Sequence, residues 1–213
     1  MAYNEHQLGL LKDYVSSSYN LADTMALLLC GENGRYLEIG AHKPIKANNT
    51  ALLELNGWTG ISLELSQRME KMWKDAGRNP TIEIADAITY DYAGIENKEF
   101  DFIQYDIDPA VNTFKAFLNT MKASLSTKFI TYEHDLYRDP GHNAYKTQVR
   151  NMLDNRGYKV LFEDVPVLDG PKFIHEDWYV REDVVVPFDQ KTWYSWAAQY
   201  RTHFVPHIRK LVR

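Results

Sequence analysis

Tyr36-Leu-Glu-Ile-Gly-Ala41 is the stretch on which the fold of this 213-residue chain depends. Its apolar residues form a short run that ends in glycine, which is typical of a buried strand followed by a tight turn. Four more short apolar runs, each bounded by polar turns, follow it. The predicted strands cover residues 36–39, 60–63, 81–85, 100–105 and 128–132. Strands this apolar are typical of a parallel sheet that is buried on both faces.

The segments between these strands have the apolar spacing of helices. Helices are predicted over residues 49–56, 66–77, 109–123 and 143–155, with Asn49 and Ser66 as N-cap residues of the first two. Strands that alternate with helices imply right-handed crossovers and a sheet with helices on both sides.

The two ends of the chain depart from this alternation. Residues 7–14 and 21–30 predict two helices before the first strand. After Gly157, the strand-like runs 158–164 and 178–180 have no helical pattern between them, which indicates an antiparallel hairpin. Aromatic residues at three- and four-residue spacing predict a C-terminal helix over 190–213, for which a homodimer contact and core packing are alternative roles.

We therefore predict a single α/β domain with a doubly wound, mostly parallel seven-stranded sheet that ends in an antiparallel hairpin. Residues 1–34 would form the N-terminal helices, 35–186 the core sheet, and 187–213 the C-terminal helix. A chain of 213 residues suits one well-buried core with extra terminal helices.

The composition excludes several classes of partner. The formal net charge is −5 and the basic residues are scattered, so a nucleic-acid partner is not expected. No apolar stretch approaches the roughly 18 residues of a membrane span, and the first residues do not resemble a signal peptide. A cytoplasmic protein without membrane association is expected. The single cysteine, Cys30, excludes an internal disulfide.

Each predicted strand is followed by an acidic residue. In a doubly wound sheet, ligands bind outside the carboxyl ends of the strands, near the point where the strand order reverses. Polar residues also follow strands simply because the chain reaches the surface there, and this alternative applies to each acid taken singly. The residues at this edge are Glu38, Glu64, Asp86, Asp106, Asp108, Glu133, His134 and Asp135.

Three motifs carry a resemblance to a known family. Leu53-Glu-Leu-Asn-Gly-Trp-Thr-Gly-Ile61 leads to Glu64, Phe100-Asp-Phe-Ile-Gln-Tyr-Asp-Ile-Asp108 is a strand that ends in acids, and Ile130-Thr-Tyr-Glu-His134 ends in Glu-His. Together they resemble the FkbM-type S-adenosylmethionine-dependent methyltransferases over residues 35–183. The resemblance implies a Rossmann-like methyltransferase fold, S-adenosylmethionine (SAM) as cofactor, and O-methylation of a sugar or other small hydroxylated compound.

The predicted cofactor site follows from this resemblance and from the chemistry of SAM. Glu64 would accept hydrogen bonds from the ribose, Asp86 would face the adenine amine, and Gly40 would leave room for the methionine portion. Glu38 and Asp106 would face the ammonium group. The full predicted set is Glu38, Gly40, Ala41, Lys43, Asn49, Thr50, Glu64, Asp86, Ala87 and Asp106.

The catalytic residues are predicted from the same edge. His134 is the candidate general base beside Asp106, because an imidazole titrates near neutrality. A structural histidine that bonds to a neighbouring loop is the alternative. Asp106, Asp108 and Glu133 could also hold Mg²⁺, which would lower the pKa of an acceptor hydroxyl.

Two other functions compete with this interpretation. A dinucleotide-dependent oxidoreductase would need further glycines after Gly40, but the sequence continues Ala-His-Lys-Pro. A methyltransferase-like fold without catalysis, serving as a binding or scaffold module, is motivated by Lys43, Pro44 and Pro109, which depart from the family pattern. Pro removes a backbone donor, and Lys adds a cation beside a cationic ligand.

Overall fold

The structure is a computed structural model that describes residues 18, 20–78, 82–166, 174–186 and 189–195. The seven strands are β1 (Arg35–Ile39), β2 (Thr59–Glu64), β3 (Ile82–Ile84), β4 (Phe102–Tyr105), β5 (Phe129–Glu133), β6 (Tyr158–Pro166) and β7 (Ile174–Arg181). The helices are α1 (Ala22–Cys30), α2 (Ala51–Leu55), α3 (Gln67–Asp75), α4 (Ala110–Lys122) and α5 (Asn143–Asp154). The predicted helix over 7–14 lies outside the described residues.

The strands form one seven-stranded sheet in the order β3-β2-β1-β4-β5-β7-β6. All neighbours from β3 to β5 are parallel, whereas β7 is antiparallel to both β5 and β6. The predicted doubly wound sheet with a closing antiparallel hairpin is confirmed. Because the strand order reverses between β1 and β4, ligands are expected outside the carboxyl ends of these two strands.

Successive residues of each strand point to opposite faces of the sheet. On one face, Tyr36, Phe102 and Phe129 pack with α1, and Trp178 meets the ring of Trp193 with 5.9 Å between centroids. Leu37, Ile103, Ile130 and Tyr179 belong to the cluster on the other face, together with residues of α4 and α5. Both faces are therefore covered, as the apolar strands predict.

The C-terminal helix begins at residue 190, as predicted, and is described as far as residue 195. Trp193 is 2% exposed and packs into the core, which favours core packing for this first turn. The remaining aromatic residues of the predicted stripe lie outside the described residues, so a homodimer contact stays a prediction. No helix among the described residues is both long and apolar enough to cross a membrane.

Two local predictions were wrong. The second hairpin strand begins at Ile174, four residues before residue 178, because its pairing with β5 extends to Glu133 opposite Glu176. The N-cap residue of α2 is Thr50 and not Asn49, and the side chain that accepts from the N–H groups at this helix start is that of Asn48. Asn48 Oδ1 accepts from the backbone N–H of Thr50 at 3.0 Å and of Ala51 at 2.8 Å, whereas Ser66 before α3 makes no side-chain cap bond.

Candidate active site

Gly40 lies at the point where the strand order reverses. Its φ is +95°, a conformation that suits glycine, and a Cβ on it would lie 1.7 Å from the carbonyl oxygen of Asp106. The chain after β1 therefore passes directly against the chain after β4. A ligand crevice is expected outside these two strand ends, and this contact would form its floor.

Glu38, at the same strand end, points into the protein. Its carboxylate accepts from Asn48 Nδ2 at 2.9 Å, Thr50 Oγ1 at 2.9 Å and Ser62 Oγ at 2.7 Å. Burial raises the pKa of Glu38 to about 7, although the nearby Arg78 guanidinium and these hydrogen bonds oppose the rise. Glu38 and Thr50 thus bind each other beneath the loop after β1, and the structure does not expose their side chains to the crevice.

Arg78 is the central side chain beneath that loop. It donates to Pro44 O, to Asn48 Oδ1 at 2.9 Å and to Thr50 Oγ1 at 2.9 Å. It also makes a two-bond contact with the carboxylate of Glu54, at 2.7 and 2.8 Å. Arg78 is only 9% exposed, so these bonds are largely shielded from water. It connects the loop of residues 41–50, which we call the β1 loop, to α2.

Trp73 of α3 holds the other side of the β1 loop. Its Nε1 donates to His42 O at 2.9 Å, and the Arg78 guanidinium lies 4.1 Å above its ring. Ala41 packs in the same cluster as Trp73. Lys43 is exposed, whereas Asn49 is buried. Arg78 and Trp73 thus hold the β1 loop from two sides. These contacts fix its conformation although it contains Lys43 and Pro44 and no further glycine.

Glu64 and Asp86 follow β2 and β3 at the same edge. Glu64 is half-buried, and its two oxygens accept from the backbone N–H of His42 at 2.9 Å and of Ser66 at 2.8 Å. Asp86 is exposed and accepts from the N–H of Ile88 at 2.9 Å, while Ala87 is buried in the core. The structure therefore brings Glu64 to the crevice, with Asp86 at its open side.

The ends of β4, β5 and β7 bring four polar side chains together, namely Asp106, Glu133, Asp135 and His175, which we call the acidic cluster. Glu133 is buried, and the pKa of its carboxyl is raised well above its usual range by burial and by the neighbouring Asp106 and Asp135. His175 Nδ1 lies 3.0 Å from Glu133 Oε1, and burial lowers the pKa of this imidazole. Asp106 is half-buried and accepts from Gln104 Nε2 at 3.4 Å.

Asp108 lies apart from this cluster. Its side chain is 66% exposed, and it pairs with the guanidinium of Arg138. The predicted metal set Asp106, Asp108 and Glu133 is therefore not assembled as a group, because the chain turns outward at Pro109 after Asp106. His175 takes the third place in the cluster instead.

His134 faces the opposite side of the sheet from Glu133. It is 0% exposed, its Nδ1 accepts from the N–H of Leu136 at 3.3 Å, and its Nε2 lies 3.5 Å from Asp177 and 3.7 Å from Asp164. These acids also bind Lys146 of α5. A general base must reach the acceptor, so this position favours the structural role for His134.

Arg78 and His175 are the two residues that sequence reasoning missed. Arg78 follows the turn after α3, where nothing in the local pattern distinguishes it from a solvated arginine. His175 lies before residue 178, at which the sequence pattern places the start of the last strand. The apolar Ile174 two residues before Glu176 is the only local signal that the strand starts earlier.

Comparison with solved structures identifies proteins of the same architecture. An O-methyltransferase from Bacillus cereus in complex with SAH has a TM-score of 0.55 and 17% identity, covering 87% of this chain and 93% of that one. Fibrillarin from Aeropyrum pernix with natively bound S-adenosyl-L-methionine has a TM-score of 0.51 and 13% identity, with 76% of both chains covered.

A third protein transfers methyl groups to nitrogen. The 1,6-didemethyltoxoflavin-N1-methyltransferase from Burkholderia thailandensis, with S-adenosylhomocysteine bound, has a TM-score of 0.50 and 11% identity, covering 86% of this chain and 92% of that one. No family model matches the sequence, and no curated protein does. At these identities the likeness establishes the fold alone, which is the Rossmann-like methyltransferase fold.

Proposed function

We propose that this chain is a SAM-dependent methyltransferase of the FkbM type that transfers a methyl group to a hydroxyl of a sugar or other small metabolite. The observation that carries the proposal is the reversal of strand order between β1 and β4, outside which a ligand crevice is expected. There Glu64, Asp86 and Asp106 arrive from three strands at one edge of the sheet. The FkbM-type assignment, the hydroxyl acceptor and the cytoplasmic location rest on the sequence and stay predictions.

The acids at this edge suit a cationic cofactor with a ribose. Each oxygen of Glu64 accepts one backbone N–H and keeps a further lone pair, which a ribose hydroxyl can use. Asp106 is half-buried, and in the described part of the chain no Lys or Arg side chain pairs with it. An ammonium group would supply the missing positive charge.

SAM, when bound, supplies a methyl group on a sulfonium cation to a nucleophilic atom of the acceptor. Within this proposal Glu64 holds the ribose, Asp86 faces the adenine amine, and Asp106 faces the ammonium group. Lys43 is exposed on the β1 loop, where it would pair with the methionine carboxylate. Glu38, Thr50 and Arg78 act from below by fixing the loop, which spares the cofactor the cost of ordering it.

The acceptor would enter on the side of β4, β5 and β7. The enzyme must mainly align the acceptor oxygen with the methyl group and remove a proton. We assign His134 a structural role in this proposal, because its ring is enclosed between Leu136 and the acids below the sheet. The acidic cluster is the group of side chains nearest to the acceptor side.

Calorimetric titration with SAM and with S-adenosylhomocysteine tests the proposal. We expect binding by the unaltered protein and an affinity roughly 10- to 100-fold lower for Glu64→Gln, because a charged acceptor of ribose hydrogen bonds is lost. Glu70→Gln, an exposed acid on α3, is the matched control and should leave the affinity unchanged. Absence of binding at millimolar ligand would contradict the proposal and favour the non-catalytic module.

A further inference from the structure

Three residues from three strand ends converge at the acceptor side of the crevice. One carboxylate oxygen of Asp106, one of Glu133 and one ring nitrogen of His175 all lie within 4.8 Å of one another. The side chain of Glu133 is 5% exposed and that of His175 is 15% exposed. The group is therefore largely enclosed, and its members come from elements that only the folded sheet brings together.

The contacts inside this group leave some of its buried atoms without a hydrogen-bond partner. His175 Nδ1 lies 3.0 Å from Glu133 Oε1, yet this buried nitrogen has no hydrogen-bond partner. Asp135 is 2% exposed, and its Oδ1 is also buried without a partner. Buried polar atoms without partners are rare in native proteins and call for an explanation such as an ion. Carboxylate and imidazole lone pairs that converge in this way are the arrangement of ligands around a cation, whose binding would release the protons that neighbouring acids otherwise share.

Among the residues that the structure describes, no lysine or arginine pairs with this group, whereas a comparable group has such a partner. His134, Asp164 and Asp177 form a second group that also has one imidazole and two carboxylates, and Lys146 Nζ lies 3.3 Å from Asp177 and also binds Asp164. In the described part of the chain, neither Asp106 nor Glu133 has such a partner. Arg138 approaches only Asp135, at 3.4 Å, and Asp108. The second group is paired with Lys146 and, through Asp177, with Arg150, whereas the described residues give the first group no corresponding charge.

We propose that one carboxylate oxygen of Asp106, together with Glu133 and His175, binds a divalent first-row transition-metal ion at the acceptor side of the crevice, which leaves the other oxygen of Asp106 to face the ammonium group of SAM. One imidazole with two carboxylates suits ions such as Mn²⁺ or Zn²⁺ better than Mg²⁺, which prefers oxygen ligands alone. Asp135 lies beside Glu133 and would orient it from outside the ligand set. Asp108 is not a ligand, because Arg138 holds it at the surface.

This inference deepens the proposed function. A catalytic role for the metal ion rests on the proposed methyl transfer. A divalent ion lowers the pKa of an oxygen that it binds. It would therefore assist the removal of the acceptor's proton at a site that His134 does not reach. The acceptor class is then a compound whose reacting hydroxyl can approach a metal ion.

Titration of the metal-free protein with Mn²⁺, followed by the electron paramagnetic resonance signal of the free ion, tests the site directly. We expect one Mn²⁺ per chain. His175→Ala and Asp106→Asn should each weaken Mn²⁺ binding by roughly 10-fold or more, because each variant removes one ligand of the ion. Asp108→Asn removes an acid from the same edge outside the group and is the matched control, with unchanged affinity expected. An equal concentration of Mg²⁺ should not displace the bound Mn²⁺.

Glu133→Gln guards against misfolding as the cause of lost binding. Because it replaces a buried carboxyl that lies between two other acids with a neutral amide of the same shape, we expect the metal-free variant to melt no lower than the metal-free parent, and to show no rise with Mn²⁺. No Mn²⁺ binding by the parent at millimolar ion, or equal weakening by Asp108→Asn and His175→Ala, would overturn the inference. SAM titration of the same samples separates the two proposals. SAM binding without Mn²⁺ binding refutes only the metal site, and Mn²⁺ binding without SAM binding refutes only the proposed function.

Discussion

Replacement of Arg78 by Met is the sharpest test of how the β1 loop is held. The methionine side chain can still pack over Trp73, but it has no hydrogen-bond donor. Arg78 makes five hydrogen bonds, two of them to Glu54 and one each to Pro44, Asn48 and Thr50. All of them join segments that are distant along the chain.

The expected cost follows from the burial of this arginine. Removing one partner of a buried ion pair costs about 3–5 kcal/mol, because the other charge stays behind without compensation. Glu54 keeps one donor, the hydroxyl of Tyr36 at 2.5 Å, so we expect a loss of about 3 kcal/mol, near the lower end of this range. The loop should also lose order, so the affinity for SAM should fall together with the stability.

Urea denaturation of Arg78→Met, Glu54→Gln and the double variant measures the pair as a double-mutant cycle. We expect a coupling free energy of about 1–3 kcal/mol between the two positions, because they share two hydrogen bonds in a shielded site. Lys71→Met is the control. It breaks the Lys71–Asp75 pair, whose side chains are 80% and 60% exposed, and should leave the free energy of unfolding unchanged within error. A stability loss for Arg78→Met no larger than that of Lys71→Met, or strict additivity in the cycle, would refute this account of the loop.

Three further predictions address the crevice. The pKa of Glu38 is about 7 in the folded protein against an ordinary 4.5, so the folded protein binds this proton more tightly than the unfolded chain does. The free energy of unfolding should therefore fall by about 3 kcal/mol as the pH rises from the unfolded pKa through the folded pKa. Glu38→Gln should flatten this dependence in denaturation curves recorded across that window, and an unchanged slope would contradict it. Gly40→Ala should prevent stable folding, because its Cβ would lie 1.7 Å from Asp106 O. Gly77→Ala is the control: Gly77 has a similar positive φ of +67°, but its Cβ would meet no atom within 4 Å, so thermal melting should show a loss of only about 1 kcal/mol. His134→Ala should lower the melting temperature and leave the SAM affinity within about twofold, since the ring does not border the crevice; a larger loss of affinity with full stability would argue for a direct role.

The fold could be predicted from the sequence to a large extent. The alternation of short apolar runs with helical patterns implies parallel strands, and the lack of a helical sequence pattern between the last two strand-like runs implies the hairpin. Both signals are local, because a buried strand and an amphipathic helix impose different periods on neighbouring residues. The same reasoning placed Glu64, Asp86 and Asp106 at one edge, since parallel strands end on the same side.

The direction and partners of each side chain were decided by the tertiary structure. Glu133 and His134 are adjacent in sequence, yet the pleat sends one to the crevice and the other beneath the sheet to Asp177. Glu38 lies at the predicted edge but turns inward to Asn48 and Thr50.

The order of the elements and the edge where the acids gather follow from the amino-acid sequence alone, because they depend on short-range periodicity and on the rules of parallel crossovers. Only the tertiary structure recruited Arg78 to the β1 loop and His175 to the acidic cluster. Both contacts join segments that are far apart along the chain, and His175 depends on the register of β7 against β5. Such pairings arise from the packing of the whole sheet, and no local pattern encodes them.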